Sequence, residues 1–232
     1  TAAQLYEDSR TAKVMNTIVQ KAITQATKKL PPNRGIRLLE IGAGTGGTTS
    51  YVLPHLNPNQ AQYIFTDIGR LFTGKAQEKF QDYLFLAYQT LDIELDPTTQ
   101  GFESHSFDVI NVKQLLAPGG MLVLYEATTQ TLWLDLIFGL LEGWWKFQDY
   151  ELRPDYPLLS RSKWKEVLAA TGFTEVATLP EMEGMPQIVS EQAVIVASAP
   201  QTIEPTASTP KNWLLLADDK GVAQQLARQL NS

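Results

Sequence analysis

From Leu5 to Leu30 apolar residues recur at three- and four-residue steps: Val14, Met15, Ile18, Val19, Ala22, Ile23 and Ala26. That spacing predicts an amphipathic helix with one face turned to a core. Pro31-Pro32-Asn33-Arg34-Gly35 stops it. Beyond that point the pattern becomes short apolar runs of strand length, at 36–41, 62–67, 86–92, 107–110 and 121–126. Their near-continuous hydrophobicity is that of strands buried on both faces. Helical signals lie between and after them, at 48–56, 74–83, 133–141 and 162–171, and the runs 175–179 and 193–197 form a closing strand pair. Strands alternating with helices predict an α/β fold, a mostly parallel sheet covered on both faces.

Composition narrows the class. Of 232 residues, 44% are hydrophobic and 19% charged, which are globular values. The absence of cysteine excludes disulfides, thiolate zinc sites and thiol catalysis. Two histidines, His55 and His105, lie far apart in sequence, and no metal site is expected. A net charge of −6 without a basic run argues against a nucleic-acid binder, whose affinity rests on neutralising phosphates. No apolar stretch reaches the roughly 18 residues of a membrane span. The greasiest, 131–145, carries Asp135 and Glu142. The N-terminus opens polar, without a secretion signal, so a soluble cytoplasmic protein is expected.

Near Ser198 the make-up changes. Residues 200–211 are rich in proline and threonine and read as an extended linker. A strand-like run from Asn212 to Asp219 and a helical one from Gly221 to Leu230 follow. One strand and one helix bury no core alone. They read as an extension docked on the main domain or, preferred here, as the opening of another domain.

The chemistry concentrates where the first strand meets its loop. Gly42, Gly44 and Gly47 satisfy G-x-G-x-x-G, the pattern of a dinucleotide site. Glu40, Gly42, Gly44 and Gly46 also satisfy E-x-G-x-G-x-G, which suits S-adenosylmethionine. Glycines there let the backbone turn sharply and approach a ligand. In both cases an acid ending the second strand would hold ribose hydroxyls, and Asp67 occupies that place. Asp92, at the end of the third strand, is a candidate partner for an adenine amino group. Glu126 ends the fifth strand and is a candidate base, or the residue that orients one. Its bland alternative is a helix-starting acid. The aromatic stretch Trp144, Trp145, Phe147, Tyr150 and Tyr156 reads as core or as the wall of an apolar pocket. Two features tilt the choice toward a methyltransferase. One is the Pro118-Gly119-Gly120 turn before the fifth strand. The other is the closing strand pair, which would insert one antiparallel strand.

Taken together, these segments resemble the methyltransferase domains embedded in modular polyketide synthases. The resemblance rests on Leu38–Thr49, Phe65-Thr66-Asp67-Ile68, Leu91-Asp92-Ile93-Glu94, Glu142-Gly143-Trp144-Trp145 and Arg153–Ser160, and runs from about Leu5 to Ala199. It implies a class I methyltransferase fold: a Rossmann-like, seven-stranded, mostly parallel sheet with an antiparallel terminal strand. It implies S-adenosylmethionine as cofactor, with Ile68 and Ile93 beside Asp67 and Asp92 in the binding set. It implies domain bounds of 1–35 for a helical lid remnant, 36–199 for the core, 200–211 for the linker and 212–232 for the start of a ketoreductase-like subdomain. The implied reaction moves a methyl group to the α-carbon of a β-ketoacyl chain on an acyl carrier protein, with neighbouring synthase domains as further partners. The family's acid is matched by Glu126 and its assisting tyrosine by Tyr6. Oxygen methylation and an inactive scaffold domain are the alternatives.

One part of the family pattern is missing. A histidine-bearing segment and a helix should follow the fourth strand, yet Phe107-Asp108-Val109-Ile110 runs straight into Asn111-Val112-Lys113-Gln114. Parallel strands need a crossover of roughly 10–12 residues or more, helix included. Either the sequence lacks a crossover segment that the whole protein carries, or the connection is natively short and the base is lost. The first is preferred, because the other motifs are intact.

Overall fold

The computed structural model describes residues 9–28, 34–110, 115–181 and 190–201. The chain divides into two units, Thr1–Thr202 and Ile203–Ser232. The second lies outside the described residues, as do the strand and helix expected at 212–230. Tyr6 also lies outside them.

In chain order the elements are α1 (Arg10–Lys28), β1 (Ile36–Glu40), α2 (Gly47–Val52), β2 (Ala61–Asp67), α3 (Arg70–Lys79), β3 (Leu86–Thr90), β4 (Phe107–Ile110), β5 (Leu116–Ala127), α4 (Leu132–Phe138), α5 (Arg161–Ala170), β6 (Thr174–Leu179) and β7 (Gln192–Ser198). The strands form one sheet in the order β3-β2-β1-β4-β5-β7-β6. The first five run parallel, and β7 enters antiparallel to both β5 and β6. This is the seven-stranded class I methyltransferase sheet that the resemblance implied.

Both faces of the sheet are covered, and the period-2 alternation divides the side chains between two cores. Ile36, Leu38, Tyr63, Phe65, Val123 and Val194 point into one, against Met15, Val19 and Ile23 of α1. Leu39, Ile64, Leu122, Leu124 and Ile195 point into the other, against Leu168 of α5. α1 begins at Arg10 because Ser9 caps it: Ser9 Oγ accepts the Ala12 N–H at 3.1 Å. α5 starts the same way at Ser160, whose Oγ accepts from Lys163 N.

Three local expectations shift. α3 spans Arg70–Lys79, not 74–83. Asp67 Oδ1 accepts the Gly69 N–H at 2.7 Å, which turns the chain directly into the helix. Asp92 lies beyond β3, which ends at Thr90, rather than at its last residue. The Pro118-Gly119-Gly120 segment is not a turn ahead of β5 but an irregular part of it. The β4–β5 register slips between Phe107 and Val109, and Gly119 adopts φ +68°.

β4 and β5 are parallel, with Phe107 opposite Leu116 and Ile110 opposite Leu122. The chain therefore leaves β4 at the ligand-binding edge and must return to the opposite edge. Residues 111–115 are all that connect the strands, and five residues leave no length for a covering helix.

Candidate active site

β1 delivers the chain to a loop of three left-handed glycines, with φ +65° at Gly42, +55° at Gly44 and +75° at Gly46. The three do different work. A Cβ at Gly42 would meet nothing within 4 Å, and one at Gly44 only the Gly42 carbonyl at 3.8 Å. Both glycines border a cavity of about 570 Å³ at the carboxyl edge of the sheet. A Cβ at Gly46 would lie 2.6 Å from Phe80 Cε2. Gly46 lets the loop rest on Phe80 and does not line the cavity.

Glu40 and Glu126 face this same cavity from the ends of β1 and β5. Two hydroxyls hold Glu40: Thr49 Oγ1 donates to its Oε2 at 2.5 Å and Tyr63 Oη at 2.7 Å. Burial pushes the Glu40 carboxyl up to about 7, against the lowering effect of those two bonds. Glu126 makes no hydrogen bond among the described residues, and burial alone pushes it up to about 7. A half-buried carboxyl without a partner is costly to keep ionised, and such groups cluster at functional sites.

The remaining candidates form an outer ring. Asp67 is buried, with Oδ2 accepting the Gly44 N–H at 3.0 Å and Oδ1 the Gly69 N–H. It braces the glycine loop and does not line the cavity. Ile68 is 68% exposed and Ile93 52% exposed, both just past strand ends. Asp92 accepts the Glu94 N–H, while Gln100 spans the Asp92 backbone. Neither histidine approaches the cavity. His55 follows α2, and His105 precedes β4, with Nδ1 2.9 Å from the Leu116 carbonyl.

The far wall is apolar, built by Trp133, Phe138 and Trp144. Phe138 stacks on Trp144 at 5.4 Å, and Tyr156 meets Trp144 edge-on while donating to Asp135 Oδ1. Of the aromatic stretch, Trp144 reaches the cavity, while Trp145 and Tyr150 are exposed.

Sequence reasoning missed Tyr63 and Asn16. Asn16 of α1 is buried, lines the cavity and accepts from Thr48 Oγ1 at 2.9 Å. Its signal was a polar residue inside the apolar stripe, between Met15 and Val19. Tyr63 offered no signal beyond a hydroxyl on a buried strand.

A family model described as a methyltransferase domain matches residues 39–117. Among solved structures, the CurJ carbon methyltransferase is 70% identical with a TM-score of 0.83, over 86% of this chain and 57% of that one. The chain belongs to the methyltransferase family. The domain is also similar to the trans-methyltransferase CalH, solved in complex with SAH: 33% identity, TM-score 0.68, over 78% of this chain and 55% of that one. The non-reducing polyketide synthase mapC of Penicillium roqueforti is 32% identical over 246 residues, covering 92% of this domain and 10% of that synthase. This methyltransferase domain thus spans a tenth or less of the first curated relatives it matches. The aligned 246 residues also exceed the whole chain, so the relative carries residues with no counterpart here.

The cavity fits a cofactor of the S-adenosylmethionine type. The open space over Gly42 and Gly44 admits a ligand where a side chain would stand, and Glu40 supplies an acid beside it.

Proposed function

We propose that the domain methylates the α-carbon of a β-ketoacyl chain carried on an acyl carrier protein, with S-adenosylmethionine as methyl donor. The observation that carries this reading is Glu126, a half-buried carboxyl without a described partner in the same cavity as the glycine cradle. Carbon methylation requires loss of an α-proton, and a carboxyl pushed to about 7 is matched to that task near neutral pH.

Gly42 and Gly44 would receive the cofactor's methionine portion and sugar, and Glu40 its ammonium. Asp67 would hold the loop in register and offer its remaining lone pairs to the ribose. Ile68 and Ile93 would flank the base, with Asp92 near its amino group. The cofactor supplies a methyl group made electrophilic by a sulfonium. Trp133, Phe138 and Trp144 exclude water from the acyl chain. Glu126 would accept the α-proton, and the electron pair left on the α-carbon would take the methyl group as the methyl–sulfur bond breaks and its electrons return to sulfur. Tyr6 would assist from the N-terminal region.

The test is turnover of a β-ketoacyl thioester with S-adenosylmethionine, using the whole protein, and NMR of the product. A methyl on the α-carbon, with a loss of roughly 10²–10⁴-fold in Glu126→Gln, supports the reading. A methyl on oxygen overturns it. The short β4–β5 connection favours a second reading, a domain that binds the cofactor without turnover. That reading predicts wild-type cofactor binding and no product.

A further inference from the structure

Tyr63 has no task in the reaction just described, yet it sits under its centre. The tyrosine is 2% exposed and Thr49 is fully buried. They belong to different elements, β2 and α2, and both donate to the same oxygen, Glu40 Oε2. Glu40 Oε1 receives no hydrogen bond from a described residue, and Glu40 lines the cavity. One carboxylate oxygen is thus tied twice while the other is left without a described partner.

That asymmetry has a physical consequence. The terminal torsion of a glutamate is soft, and a free carboxylate would rotate. Two donors converging on one oxygen fix its plane. They also compensate part of the cost of burying charge, which packing by a phenyl ring could not do. Phenylalanine at position 63 would fill the same volume in the core against α1. The hydroxyl is spent on Glu40.

We propose that Tyr63 and Thr49 are positioning residues that hold the Glu40 carboxylate with Oε1 turned to the cavity, where it takes the ammonium at the amino-acid end of the cofactor. This rests on the cofactor reading of Glu40 given above. A fixed acceptor aimed at a cation before it arrives needs no reorganisation on binding.

The titratable neighbours of Glu40 are few. Tyr63 faces it from β2, and Tyr125 and Glu126 face the same cavity from β5. α1 contributes Asn16, Val19 and Ile23 to this wall and α2 contributes Thr48, none of which titrates. Glu40 and Glu126 are both held up to about 7, so the pH dependence of ammonium binding is assigned to Glu40 by its loss in Glu40→Gln.

The experiment is calorimetric titration of the full chain with two probes. S-adenosylhomocysteine carries the ammonium; methylthioadenosine has the same nucleoside thioether without it. In the wild type the first should tighten as pH rises through about 7. Tyr63→Phe should weaken S-adenosylhomocysteine roughly 10-fold, leave methylthioadenosine unchanged, and move the pH midpoint upward. Thr49→Val should do the same and serves as the second variant if one fails to fold. Equal weakening of both probes would show a purely structural tyrosine and overturn the proposal, as would unchanged S-adenosylhomocysteine binding. Glu40→Gln separates the layers. If it spares the preference for S-adenosylhomocysteine, the cofactor reading of Glu40 falls. If it removes the preference while both hydroxyl variants retain it, only the positioning role falls.

Discussion

The Asp67 carboxylate reaches from the end of β2 to accept the Gly44 backbone N–H at 3.0 Å, bracing the glycine loop from the neighbouring strand. Its second oxygen accepts the Gly69 N–H at the start of α3. Asp67→Asn turns an amide NH₂ toward one of these N–H groups and leaves a buried donor unpaired. That costs about 1–3 kcal/mol, or roughly 3–10 °C in melting temperature for a domain of this size. Calorimetric melting should show the loss in the absence of any ligand, together with weaker S-adenosylhomocysteine binding. An unchanged melt with lost affinity would assign Asp67 to the ligand alone.

Gly46 and Gly74 should respond in opposite directions to alanine. Gly46 is left-handed, and a Cβ there would strike the Phe80 ring at 2.6 Å. The strain and the clash together cost about 1–3 kcal/mol. Gly74 lies inside α3 with nothing within 4 Å of its Cβ position. Alanine there gains helix propensity and stabilises by about 0.4–1 kcal/mol. Denaturant midpoints of the two variants against the wild type check both signs.

Glu126 makes the apo protein less stable as pH rises. Its carboxyl is held up to about 7 by burial, from an ordinary 4.5. Between those values the unfolded chain has released a proton that the folded chain retains. Unfolding is then favoured increasingly from about pH 4.5 to 7, and the effect is flat above 7. The total is on the order of 3 kcal/mol. Glu126→Gln should match the wild type near pH 4 and exceed it in stability at pH 8, while losing methyl transfer. Urea denaturation at the two pH values is the check. A Glu126→Gln protein no more stable than the wild type at pH 8 would place Glu126 in water.

Much of this was legible beforehand because the signals were local. A strand, three spaced glycines and an acid at the next strand end mark a ligand edge in any parallel sheet, and Gly42, Gly44, Glu40 and Glu126 do meet in one cavity. What stayed hidden depends on contacts far apart in sequence. The spacing of Gly46 is that of a ligand-contact glycine, yet Phe80 decides its role. Asp67 reads as a ribose acid, and only the fold shows its oxygens on Gly44 and Gly69. Tyr63 is a strand aromatic until β2 sets its hydroxyl on Glu40. Asn16 was within reach, since an asparagine in an apolar helical stripe needs a buried partner, which Thr48 supplies.

The β4–β5 connection leads to a prediction about the protein itself. The register sets Ile110 opposite Leu122 and Phe107 opposite Leu116, so β4 ends and β5 begins at opposite edges of the sheet with only 111–115 between them in sequence. Parallel neighbours are otherwise joined by roughly 10–12 residues or more, usually with a helix that covers the sheet. We expect the native protein to carry additional residues between Ile110 and Leu116, adding more than roughly 1 kDa to the 25.8 kDa of this sequence. Intact mass with peptide mapping across the junction measures it. A mass equal to that of the present sequence would make the short connection native, and a domain that binds cofactor without turnover would then be the better reading.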